Sequence, residues 1–393
     1  MRRFTVLPFC LRFFQVLPAL GLPSFAVAQT VVLPQIELPP LLVEGVSERA
    51  DGPVQGYRAT RSATGTRTDA ALRDVPQSIA VIPRQVLEDQ QATSLDDALR
   101  NASGIRPGGS AGGRAEAYLL RGFRTQTYAV DGVLLNPALE FPEGFRDLAN
   151  IERVEVLKGP ASVLYGRGDP GGLINLVTRQ PMFTPSGGVN ILAGTHGFAR
   201  GEFDLTGPIG SSGTLAGRLT GASQQDNGFR DRVHISERQF FAPSFVWQPT
   251  DRTRVSINMS WLDQVSPFDR GLVAQGHGVF LPRTRYLGES WSRSSTTRSD
   301  FNWRVEHQAT SWLTLRQIGH LDWAVAHRLS ADPVSLAGTT LSRRATDQDD
   351  NSQNIDLQAD ATARFATGSV RHAVTVGGEY IHAKRSLELS QAT

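Results

Sequence analysis

Val255-Ser256-Ile257-Asn258-Met259-Ser260-Trp261 sets apolar side chains at every odd position and small polar ones between them. A period of two marks a strand whose faces meet unlike surroundings. The pattern recurs on both sides. Phe241, Phe245 and Trp247 precede it; Phe301, Trp303 and Val305 follow, then Leu313, Leu315, Leu321, Trp323 and Val325. Ile355, Leu357, Ala359, Ala361, Ala363 and Phe365 continue it, as do Val374, Val376 and Tyr380. The opposite parity carries Ser, Asn, Arg, Gln and Asp. A water-soluble β-sandwich alternates similarly but in shorter strands. Segments of about ten residues or more, separated by unequal loops such as Gln264 to Ser295, favour the wall of an outer-membrane barrel, and about eight strands are expected over 186–393.

The chain has 393 residues, 40% of them hydrophobic and 20% charged, with Gly 38 and Pro 22. After residue 28 no apolar run reaches the ~18 residues a spanning helix needs. Residues 1–28 read as a secretory signal: Arg2 and Arg3, an apolar stretch from Phe4 to Leu22, then Ala26-Val27-Ala28 as a small-x-small cleavage site. The only cysteine, Cys10, lies inside that leader, so the mature chain has neither disulfides nor thiolate chemistry. The leader's three arginines account for the excess of base, and the formal charge passes from +2 to −1 without them. A near-neutral chain gives no electrostatic argument for nucleic acid.

Residues 29–60 form a Pro- and Val-rich flexible arm, unable to recover its ordering entropy by burial. Within it, Leu41-Leu42-Val43-Glu44-Gly45-Val46 is either plain linker or an extended run that pairs with the edge of a partner's sheet. Residues 61–185 have a globular composition. Ser94 is a helix N-cap followed by Asp96 and Asp97 in the first turn. Short strands are expected at Ile79 to Ile82, Ala117 to Leu120, Tyr128 to Val130, Val154 to Leu157 and Leu173 to Val177, with a turn at Asp131-Gly132. This is a small α+β domain.

The stretch Thr64 to Pro181 resembles the plug of TonB-dependent siderophore receptors. The resemblance rests on Leu72-Arg73-Asp74-Val75-Pro76-Gln77-Ser78-Ile79, Arg121-Gly122-Phe123, Tyr128 to Gly132, Ile151-Glu152-Arg153-Val154-Glu155-Val156-Leu157-Lys158-Gly159-Pro160 with its continuation to Gly172, and Ile174-Asn175-Leu176-Val177-Thr178. All five stand in the family's order and spacing. Gly52-Pro53 to Ala63 resembles the lead-in of ferrichrome- and pyoverdine-type receptors.

The resemblance implies an α+β plug followed by an antiparallel transmembrane β-barrel, here incomplete at about eight of 22 strands. It further implies import of a ferric siderophore across the outer membrane, energised by TonB. Leu41, Leu42, Val43, Glu44 and Gly45 become the candidate TonB box, although they depart from its usual sequence. Arg121, Arg153 and Lys158 are expected in charge pairs between plug and barrel, with Glu152 or Glu155 as alternative partners for a buried cation. Outward plug loops at Pro107 to Ala115, Arg124 to Thr127 and Asn136 to Phe145 offer Arg114, Arg124, Gln126 and Phe141 as chelate contacts. Expected partners are TonB, the ferric siderophore and outer-membrane lipid, without nucleic acid; no cofactor is expected, the iron arriving in its chelator. The same machinery serves other cargo, such as cobalamin or a glycan, and a plug fragment that only binds TonB in the periplasm is the remaining alternative.

Other motifs carry less. Gly166-x-Gly168-x-x-Gly171 spells a dinucleotide fingerprint, but Leu173 to Thr178 reads as a strand where that chemistry needs a helix N-terminus. Arg167-Gly168-Asp169 is a chance tripeptide. The eight histidines show no ligand spacing to a second His or a Cys, and His320 and His327, seven apart, fall on opposite faces of a strand, so no protein-held metal is expected. Nothing resembles a nucleophile elbow, and no enzyme is expected. An open wall of eight strands would leave unpaired edges in lipid, so the chain alone is expected neither to insert nor to transport.

Overall fold

The computed structural model describes residues 48–125, 128–135, 145–166, 168–231, 236–274, 276–279 and 281–392. The leader and the run Leu41 to Val46 lie outside them.

The first part alternates short strands and helices: β1 (Arg61–Ser62), β2 (Ala70–Ala71), β3 (Ser78–Pro83), α1 (Arg84–Asp89), α2 (Leu95–Leu99), β4 (Ile105–Gly109), β5 (Ala117–Leu120), β6 (Phe123–Thr125), β7 (Tyr128–Val130), β8 (Val133–Leu134), β9 (Ile151–Lys158), α3 (Ser162–Tyr165) and β10 (Gly172–Thr178). Ser94 caps α2, its side chain accepting from the Asp97 amide at 3.2 Å. The β7–β8 hairpin turns on Asp131 and Gly132, both at positive φ, as an Asp-Gly turn of the I′ kind requires.

Five of these strands form one mixed sheet in the order β3-β9-β10-β7-β8, with β10 parallel to β7 and antiparallel to β9. In β9 the alternation separates two buried faces. Val154 and Val156 enter an apolar core with Ile82, Leu95, Leu99, Ile174 and Leu176, while on the other face Arg153 and Glu155 are buried beside a smaller apolar cluster of Leu157, Leu173 and Tyr165. Each fully buried Leu or Ile there contributes about 1.5–3 kcal/mol. Gly172 sits where β10 begins, at φ +136, and a Cβ on it would fall 2.0 Å from the Leu157 carbonyl oxygen. β4, β5 and β6 form a separate three-stranded sheet.

The second part is a nine-stranded antiparallel meander: β11 (Ser186–Ala193), β12 (Ala199–Pro208), β13 (Leu215–Asp226), β14 (Ser236–Thr250), β15 (Thr253–Pro267), β16 (Arg293–Gln308), β17 (Leu313–Ala337), β18 (Thr340–Thr367) and β19 (Val370–Ala392). Among the described residues the strands number nine, where about eight are expected. In β11–β13 glycines at 187, 201, 207, 217 and 221 interrupt the apolar face and blur its parity. Among the described residues each strand pairs only with its sequence neighbours, so the wall is open along β11 and β19.

The wall is inverted relative to a sheet that folds in water. Val189, Ile191, Trp247, Trp323, Val376 and Tyr380 face outward and are exposed, whereas Arg200, Arg298, His320, Asp322 and Asp356 face inward and are buried. The inward faces close over the first part of the chain. No helix among the described residues is long and apolar enough to cross a membrane.

Candidate functional site

Two regions join the compact domain to the wall. The first is a polar seam. Arg146 reaches both oxygens of Asp300 on β16 at 3.2 Å. Asp147 takes a fork of two bonds, 2.7 and 2.9 Å, from Arg200 on β12, with Arg238 on β14 at 3.7 Å. Arg67 donates to Gln358 on β18 at 2.9 Å and lies 3.6 Å from Glu379 on β19. In the other direction, Arg304 of β16 donates to the Asp131 carbonyl and Arg218 of β13 to the Gln180 carbonyl, each at 2.7 Å. Apolar contact across the seam is small, with Ala149 against Ala222, Phe240, Ala242 and Leu262.

The second region lies at the loop Ser110 to Ala115. The Ser110 carbonyl accepts from the amides of Gly113, Arg114 and Ala115. Gly112, at φ +82, lies under the Phe268 ring, which a Cβ would approach to 2.7 Å. The Asp269 amide donates to the Gly112 carbonyl at 3.0 Å, and Ser266 Oγ to the Gly113 carbonyl at 3.2 Å. Phe268 is held in turn: Tyr286 donates to its carbonyl at 2.8 Å, and Arg270 and Arg328 stack over its ring at 5.3 and 5.1 Å. Arg230 pairs with Asp269 at 2.7 Å. The segment between β15 and β16 thus clamps the loop through two glycines, a contact no local sequence pattern announces.

Residues 71–173 match the TonB-dependent Receptor Plug Domain family. The chain belongs to the TonB-dependent receptors. It is 38% identical over 350 residues to the metal-pseudopaline receptor CntO of Pseudomonas aeruginosa, covering 88% of this chain and 49% of that protein. To the ferrichrome outer membrane transporter/phage receptor of Escherichia coli K12 it is 26% identical over 372 residues, covering 86% and 49%. The ferripyoverdine receptor of the Pseudomonas aeruginosa outer membrane, solved with ferripyoverdine, shares the fold at a TM-score of 0.78 and 23% identity, covering 88% of this chain and 50% of that one. The chain therefore spans about half the length of the relatives it matches. The family consists of transport receptors, not enzymes.

In this receptor the expected charge pairs are rearranged. Arg153 is fully buried, but its carboxylates are Glu155 at 3.0 Å on its own strand and Glu48 at 3.7 Å in the lead-in. Lys158 donates to Ser103 at 2.9 Å, also within the plug, and Arg121 is exposed. Among the described residues the ion pairs between plug and wall belong to Arg67, Arg146, Asp147 and Arg179, the last 3.3 Å from Asp204 on β12, all on coil segments that sequence periodicity does not mark. Glu155 also accepts from Ser62 and Thr64, which fastens the lead-in to the plug.

Burial works to raise the Asp147 carboxyl, but Arg200, helped by Arg238, holds it below the usual carboxylate range. Glu155 is raised by burial despite Arg153 and the two hydroxyls. Burial pushes Glu116 up to about 7 against the pull of Arg238, with Asp96 adding to the rise.

Of the expected chelate contacts, Arg114 closes the clamped loop and is partly buried, while Arg124 is exposed on β6. Gln126, Phe141 and the expected TonB box Leu41, Leu42, Val43, Glu44 and Gly45 lie outside the described residues.

Proposed function

We propose that this chain is the plug and the adjoining wall of an outer-membrane receptor that imports a metal–siderophore complex into the periplasm, drawing energy from TonB. The inverted wall around a compact plug carries this reading: apolar side chains outward, charged ones inward, suit lipid on one side and a polar partner on the other. The relatives support the cargo class, being named for metal-pseudopaline, ferrichrome, ferrioxamine and ferric pyoverdine. Arg114, Arg124, Gln126 and Phe141 are the proposed contacts to the chelate, and Leu41 to Gly45 the proposed site of TonB engagement.

The test is uptake of radiolabelled metal by the full-length gene product in a host lacking its own siderophore receptors. Ferric hydroxamate, ferric catecholate and carboxylate-type metal chelates are offered singly. Accumulation of one of them that vanishes in a host without TonB is the expected result. Accumulation of cobalamin or a glycan alone, or recovery of the folded product only from the periplasm, overturns the reading.

A further inference from the structure

The inward face of the wall carries a block of six polar side chains, of which Asp300 also takes part in the polar seam through Arg146. Strand register sets Asn302, His320 and Asp356 in one row across β16, β17 and β18, and Asp300, Asp322 and Asn354 in the next. All six are buried, and His320 and Asp322 are completely so. Side chains of register partners point to the same face, so the block is contiguous.

His320 is arranged as a ligand. Its Nδ1 is in hydrogen-bond contact with Asn302 Oδ1, an acceptor, so Nδ1 carries a proton, and in the neutral ring Nε2 presents its lone pair. Nε2 has no hydrogen-bond partner among the described residues and stands 4.0 Å from Asp300 Oδ1. Arg298 binds Asp322 through Oδ2 at 2.8 Å and leaves Oδ1 buried without a partner. Asp300 is steadied by Arg146 and by Ser260 Oγ at 3.0 Å. One ligand atom from each of Asp300, His320 and Asp322 lies within 4.8 Å of the other two.

A lone pair facing carboxylate oxygens with no hydrogen between them is repulsive, and each buried acceptor left unsatisfied costs about 1–3 kcal/mol. A cation at their centre removes the repulsion and satisfies the two acceptors without a partner, His320 Nε2 and Asp322 Oδ1, while Asp300 Oδ1 keeps its bond from Arg146. Arg146 and Arg298 offset two carboxylates, and Asp356 beside His320 supplies a third.

We propose that Asp300, His320 and Asp322 hold a divalent first-row transition metal such as Zn²⁺ on the inward face of the wall. One imidazole nitrogen with carboxylate oxygens suits that class better than Ca²⁺ or Mg²⁺, which favour oxygen alone. Asn302 is the outer partner that fixes the ring, and Arg298 fixes the orientation of Asp322. The site shares no residue with the proposed chelate contacts and does not depend on the cargo.

The experiment is titration of the purified, chelator-stripped full chain with Co²⁺, read by its visible d–d absorption, and with Zn²⁺ by calorimetry. One equivalent is expected to bind. His320→Ala and Asp322→Asn should abolish the band, and Asn302→Leu should weaken binding about 10- to 100-fold. His327→Ala, which removes a half-buried histidine paired with Asp347 on the outer face, should leave binding intact. Absence of stoichiometric binding, binding that survives His320→Ala, or binding lost in His327→Ala each overturns the proposal. Should the inward variants fail to fold, X-ray absorption of the zinc-loaded wild type decides: a first shell containing one imidazole supports the site, and a shell without one refutes it.

Discussion

Replacing Asp147 by Asn tests whether the seam holds the plug to the wall by charge. Both side chains of the Asp147–Arg200 pair are fully buried, and the two bonds between them are short. Breaking a buried pair from one side typically costs 3–5 kcal/mol, because the surviving ion stays buried. Arg200 keeps Glu202 at 2.5 Å and Gln224 at 2.9 Å, which places the expected loss at the lower end, about 3 kcal/mol. For a unit of this size, at about 2.1 cal/mol/K of unfolding entropy per residue, that lowers Tm by about 4 °C. Thermal unfolding of the detergent-extracted chain, followed by tryptophan fluorescence, measures it. Asp147→Leu combined with Arg200→Met removes both ions and should recover most of the loss, since a well-packed apolar pair can replace a buried ion pair without penalty. A single variant within about 0.5 kcal/mol of wild type, or a double variant as damaged as the single, refutes the reasoning.

Glu116, with its carboxyl raised to about 7, holds its proton in the folded state after the unfolded chain has lost it. Its contribution to stability should therefore be fully present below about pH 4.5 and be lost towards pH 7, a change of up to about 3 kcal/mol. Glu116→Gln should remove that slope, and a pH series of melting curves identical to wild type would contradict it. Ile257 faces outward, between Phe245 and Trp303 in the ladder, and Ile257→Arg should cost about 2–4 kcal/mol in a bilayer while Ser256→Ala, facing inward, costs far less; equal effects in folding titrations into lipid vesicles would argue against a lipid-facing odd parity. Gly112→Val should displace Phe268 and release the segment between β15 and β16, read as accelerated proteolysis of residues 268–292; an unchanged digestion pattern would show that the clamp does not hold the segment.

The wall was legible because an inverted sheet writes its faces into alternate residues: Val255 to Trp261 declares one face outward without reference to any other strand. Parity also placed His320 and His327 on opposite faces, as observed. It failed where glycine replaces the apolar residue, which is why β11–β13 were undercounted. Contacts between strands were out of reach in principle. Asp300 and His320 are twenty positions apart, and only the register of β16 on β17 makes them neighbours. Arg153 was readable as a buried cation with Glu155 two residues on, but not its second carboxylate, Glu48, which the lead-in delivers from more than a hundred positions away. The clamp on Gly112 was hidden for the same reason: a glycine at positive φ says that backbone is tight, not that Phe268 lies above it.

The division of apolar and polar contact bears on how such a plug can be both held and moved. Inside the plug, β9 and β10 join apolar cores on both sides of the sheet, so partial unfolding exposes hydrocarbon and is costly. Between plug and wall the contacts are mostly ion pairs and hydrogen bonds to carbonyls, with one small apolar patch. Exchanging such contacts for water changes free energy little, because water satisfies the same groups. A force applied to the lead-in would meet the Glu48–Arg153 and Glu155–Ser62–Thr64 contacts first, which bind the lead-in to the plug sheet and not to the wall. Load would then pass into the cohesive sheet, and the polar seam would yield before the core. The Asp147 and Arg200 variants separate the two cases: a weakened seam should ease plug displacement under load while leaving the plug's own hydrogen-exchange protection unchanged.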